Sequence, residues 1–110
     1  MKVLSGIKQS GKTTRLLEEA NGRDDVYVVS VTEFGADRMI NYCEKNKLDV
    51  NIISMKNLDG LPKGAEIWVD DFDLFLAKKF GTDRVRVAVN ECEVVDLNGE
   101  LTKRVLKIKE

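Results

Sequence analysis

The chain has 110 residues, 43% of them hydrophobic, which is enough for one domain with a modest core and too little for a second large one. Its 18 basic and 19 acidic residues leave a net charge of −1, so no overall positive field recommends a nucleic-acid partner. Histidine is absent, which excludes imidazole acid–base chemistry and, with only Cys43 and Cys92 far apart, the usual zinc sites.

In chain order, Lys2-Val3-Leu4-Ser5 is a short apolar run suited to a buried strand. It leads into Gly6-Ile7-Lys8-Gln9-Ser10-Gly11-Lys12-Thr13, which fits the phosphate-binding pattern G-x-x-x-x-G-K-[ST] at every fixed position. Gly6 and Gly11 permit backbone angles that a Cβ forbids, so the loop, Ser10 included, can turn successive N–H groups toward an anion. Lys12 is placed to reach β- and γ-phosphates and the Thr13 hydroxyl to ligate Mg²⁺. A helix is expected from Thr13 to about Asn21, with Leu16, Leu17 and Ala20 at helical spacing, and its N-terminus faces the same phosphates. Thr14 is either an α-phosphate contact or an ordinary first-turn residue.

Val26-Tyr27-Val28-Val29-Ser30 lacks polar alternation and reads as a strand covered on both faces of a parallel sheet. Thr32 can cap a helix starting near Glu33, in which Ala36, Met39, Ile40 and Cys43 form the buried stripe before Lys45-Asn46-Lys47 ends it. Val50-Asn51-Ile52-Ile53 reads as a short strand. Met55 to Gly64, with two glycines and Pro62, is an exposed connection with one helical turn.

The second informative stretch is Glu66-Ile67-Trp68-Val69-Asp70-Asp71, a strand expected to be buried that ends abruptly in two acids. In open parallel sheets ligands bind beyond the carboxyl ends of the strands, so these acids point at the site made by the first loop. Asp70 is the candidate for orienting the Mg²⁺ shell, and Asp71 for polarising an attacking water. Either acid can instead be the N-cap of the next helix, Phe72 to Lys79, whose C-terminal signal is Gly81. That helix is expected to be amphipathic, with Phe72, Phe75, Leu76 and Phe80 on its apolar face and Leu74 near its edge.

Arg84-Val85-Arg86-Val87-Ala88-Val89 is a further strand, and Asn90 after it is either a γ-phosphate sensor or a turn former. Cys92 to Asp96 and Leu101 to Ile108 flank Leu97-Asn98-Gly99-Glu100, and Asn-Gly between strand-like runs signals a hairpin. Lys78, Lys79, Arg84, Arg86, Lys103, Arg104, Lys107 and Lys109 concentrate in the C-terminal third, either as a local basic patch or as solvated faces. No apolar run is long enough to span a bilayer and no signal-peptide pattern precedes the first strand, so a cytoplasmic protein with reduced thiols is expected.

On these residues the chain resembles the P-loop NTPase superfamily, with Gly6 to Thr13 matching its Walker A motif and Ile67 to Asp71 its Walker B motif. The resemblance covers roughly residues 1–90. Within the superfamily the chain is most similar to the first motor domain of helicases, translocases and phage packaging ATPases, and to small phage and Firmicutes P-loop proteins. It implies a three-layer α/β fold with a mostly parallel sheet flanked by helices, here followed by a C-terminal hairpin over residues 91–110. It also implies ATP or another NTP with Mg²⁺, in a phage or nucleic-acid-related process.

Asp71 stands where hydrolytic members usually carry Glu. Without a second motor domain to supply an arginine finger, worth about three to five orders of magnitude in rate, hydrolysis is expected to be weak or stimulated by a protein partner or a second copy. The competing readings are a degenerate P-loop protein serving as a protein-interaction module, and a small nucleotide kinase, for which little room for a lid or an acceptor site is expected.

Overall fold

The computed structural model describes residues 2–5, 11–81 and 93–97. The expected strand at 84–89, Asn90, and the second arm of the hairpin lie outside the described residues, as do Gly6 and Ser10.

The protein is a mixed α/β structure. Its elements run β1 (Lys2–Ser5), α1 (Lys12–Ala20), β2 (Val26–Ser30), α2 (Glu33–Asn46), β3 (Asn51–Ser54), a 3₁₀ segment (Met55–Gly60), β4 (Glu66–Val69), α3 (Phe72–Phe80) and β5 (Glu93–Asp96). β2 pairs in parallel with β3 on one side and β4 on the other, making a three-stranded sheet of order β3-β2-β4 that helices flank. β5, the first arm of the expected hairpin, pairs in parallel with β1.

Parallel register decides which side chains meet. Val28 lies opposite Trp68 and Val29 opposite Val69, so residues of like parity share a face. Val26 and Val28 turn to α1 and α2 and pack with Leu17, Ala20, Met39 and Cys43, with Trp68 and Ile52 at the margin. Leu17, Val26, Val28 and Val29 are fully buried, each burial stabilising by about 1.5–3 kcal/mol. By the same alternation Ser30, the last residue of β2, and Asp70, the first after β4, continue the α1/α2 face.

The helix ends follow local chemistry. Gly11 precedes α1 at φ 85°, a left-handed value that its missing Cβ permits. Thr32 caps α2, its hydroxyl accepting the Gly35 N–H at 2.9 Å. Gly81, at φ 98°, ends α3.

Three expectations change. Within α2, Ala36, Met39 and Cys43 are buried but Ile40 is 38% exposed, because the stripe facing β2 is narrower than the apolar run. β4 is not a buried strand: it is an outer strand of the described three-stranded sheet, and Ile67, on the face away from α1 and α2, is 48% exposed. No residue of α3 is buried. Its apolar residues at 72, 74, 75, 76, 77 and 80 surround more of the helix than one contact face can cover.

Candidate functional site

The site lies at the carboxyl ends of β2 and β4, where open parallel sheets bind ligands. The main-chain N–H of Asp70 donates to the carbonyl of Val29 at 3.0 Å, which holds Asp70 level with the end of β2. From there its carboxylate Oδ1 accepts a hydrogen bond of 2.9 Å from the hydroxyl of Thr13, in the first turn of α1, 57 residues away in sequence. The last residue of the glycine-rich pattern and the first acid after β4 are therefore in direct contact.

Asp70 is half-buried, and its carboxyl is raised above the ordinary aspartate value. Burial is the main cause; the neighbouring Asp71 charge adds to it, while the Thr13 hydrogen bond and the Lys12 charge oppose it. The hydroxyl and the Lys12 charge together do not offset the desolvation.

Asp71 occupies the N-cap position of α3 in a left-handed conformation, φ 56° and ψ 62°. Its carbonyl accepts the Phe75 N–H at 2.9 Å, but its carboxylate makes no capping bond. The capping alternative therefore holds for its backbone only. Left-handed geometry costs a non-glycine residue about 1 kcal/mol or more, though aspartate tolerates it better than most, and such outliers gather at functional sites.

Thr13, Thr14, Asp70 and Asp71 line one cavity of about 380 Å³. Gly11 and Lys12 immediately precede Thr13 at the start of α1. Ser30, beside Asp70 at the end of β2, and Thr32, Gly35, Arg38 and Tyr42 further along the chain also line it. These residues were not among the candidates read from the sequence. The signal was present in the spacing Gly35, Arg38, Met39, Tyr42, one face of a helix; which part of that face overhangs the end of β2 is set by packing.

Two oxygens of kinds that Mg²⁺ accepts meet at Thr13 and Asp70, next to a second carboxylate. Mg²⁺ commonly takes one or two protein ligands and completes its shell with water and phosphate oxygens, so this donor set fits it. Among the described residues no group of three or more Cys, Asp or Glu side chains is arranged to hold a metal. Nor, among them, is any helix long and apolar enough to cross a membrane. Comparison with protein-family models, curated proteins and solved structures finds no match for this chain.

Proposed function

We propose that the chain is a nucleoside triphosphate-binding protein of the P-loop kind, ATP being the expected nucleotide, with weak or partner-stimulated hydrolysis. The observation that carries this reading is the Thr13–Asp70 hydrogen bond. It joins the end of the phosphate-loop pattern to a carboxylate at a strand end, the pairing that a nucleotide-bound Mg²⁺ requires. The reading extends to the architecture, a three-layer P-loop fold ending in a hairpin.

In this account the amides of residues 6–13 hold the phosphates and Lys12 neutralises their charge. Thr13 and Asp70 hold Mg²⁺. The metal, when bound, supplies charge neutralisation at the phosphate oxygens. Asp71, whose carboxylate is not spent on the α3 cap, orients the attacking water. The arginine that speeds the reaction comes from a protein partner or a second copy of the chain.

The test is calorimetric titration of wild type and Lys12→Ala with ATP and Mg²⁺, with phosphate release measured separately. Saturable binding by wild type and its loss in Lys12→Ala are expected. Equal binding by the two proteins, or none by wild type, rules the reading out.

A further inference from the structure

We propose that Ser30 is a positioning residue of the metal and phosphate site, its hydroxyl holding a water of the Mg²⁺ shell beside Asp70. The inference rests on the nucleotide reading of that site and adds a residue to it. A buried hydroxyl without a protein partner carries it. Ser30 is only 5% exposed, lines the cavity, and makes no side-chain hydrogen bond among the described residues. Buried polar groups are nearly always paired, so an orphan at a cavity wall marks where a ligand or water atom belongs.

Register decides what that hydroxyl can serve. Val29 pairs with Val69, so Ser30 stands abreast of Asp70 on the α1/α2 face, and on its other side it pairs with Ser54. The two serines differ. Ser54 is nearly as buried, 6% exposed, but its hydroxyl accepts Asn57 Nδ2 at 3.3 Å and is not part of the cavity wall. Above Ser30 lies the first turn of α2. A Cβ at Gly35 would collide with the Ser30 hydroxyl, and the Gly35 N–H is already spent on Thr32, so α2 closes over the hydroxyl without offering it a bond. The remaining side is the cavity, which Asp70 also lines. Neighbouring strands lie about 4.8 Å apart, so side chains abreast on one face are within reach of one shared water. Mg²⁺ held by one or two protein oxygens and phosphate keeps several waters. Such a water has two hydrogens to donate, one for the Asp70 carboxylate and one for Ser30 Oγ. Thr13 and Asp70 then hold the metal, and Ser30 fixes the orientation of its shell.

Calorimetric titration with ATP, in Mg²⁺ and in EDTA, tests this on the full chain as wild type, Ser30→Ala, Gly35→Ala and the double variant. Ser30→Ala should bind Mg²⁺–ATP about twofold to tenfold more weakly, the loss of one hydrogen bond, and bind ATP in EDTA as wild type does. Gly35→Ala, which displaces the hydroxyl, should show the same Mg²⁺-specific loss, and the double variant no further loss. Thermal melting checks where the hydroxyl sits. Ser30→Ala should keep or raise Tm, because nothing bonds the hydroxyl, so weaker binding by that variant is not unfolding. Gly35→Ala should lower Tm more in the wild type than in the Ser30→Ala background, because the collision is with the hydroxyl. The proposal is overturned if Ser30→Ala binds Mg²⁺–ATP as wild type does, if its loss is equal in EDTA, or if Gly35→Ala changes Tm equally in both backgrounds. Each of these leaves the nucleotide reading standing, whereas absence of ATP binding by wild type removes both.

Discussion

Thr13→Val removes one hydroxyl with almost no change of shape, and so isolates the contact that joins α1 to the end of β4. In the wild type that hydroxyl donates to Asp70 at 2.9 Å in a half-buried setting. Hydrogen bonds to charged groups contribute about 1.5–3 kcal/mol; the partial exposure of the pair favours the low end, about 1.5 kcal/mol. For a domain of this size that is a fall of roughly 6 °C in Tm. Asp70→Asn behaves differently. It keeps an acceptor for Thr13 while removing a charge that burial and Asp71 disfavour, so it should cost less than Thr13→Val or stabilise the protein. In the Asp70→Asn background, Thr13→Val should cost only the value of a neutral hydrogen bond, about 0.5–1 kcal/mol, leaving a measurable coupling energy in the cycle. Urea unfolding of the four proteins supplies the assay. If Thr13→Val has the wild-type midpoint, or Asp70→Asn loses more stability than Thr13→Val, the description of this pair is wrong.

The raised Asp70 carboxyl also has a definite pH signature in the metal-free protein. The stability it contributes is fully present below the ordinary aspartate value and is lost as pH rises through the higher folded-state value. Urea midpoints taken between about pH 3 and pH 7 should therefore shift in favour of Asp70→Asn as pH rises, and a shift in favour of wild type would reverse the assigned sign. Cys43, 5% exposed and raised by burial, should resist iodoacetamide in the folded protein and label only in denaturant. Peptide-resolved mass spectrometry separates it from Cys92, and fast native labelling of Cys43 would contradict its packing. Thr32→Ala removes the α2 cap and should cost about 1 kcal/mol, read as a lower Tm; an unchanged Tm would show that the cap bond contributes nothing.

The parts legible in the sequence were those carried by local pattern. The unbroken β-branched run of β2, the Thr32 cap and the stripe Ala36, Met39, Cys43 each name their own environment, and the structure agrees with them. The meeting of Thr13 with Asp70 was readable for another reason: one motif ends at a helix start, the other at a strand end, and parallel topology leaves both on the same edge of the sheet. What sequence did not show depends on relations between elements. Ile67 and Trp68 are adjacent in an apolar run, yet opposite faces of β4 are covered to different extents. The closeness of Gly35 to Ser30 arises from how tightly α2 turns back over β2, and no residue pattern specifies that distance. Ser30 and Arg38 were missed as cavity residues for the same reason.

The most direct measurement is calorimetric titration of wild type and Asp70→Asn with ATP, each with Mg²⁺ and with EDTA. Thr13 and Asp70 as a metal-holding pair require tight binding by wild type in Mg²⁺, weaker binding in EDTA, and no Mg²⁺ dependence in Asp70→Asn. Mg²⁺-dependent binding of equal strength in both proteins, or no ATP binding by wild type, would contradict the role given to the pair.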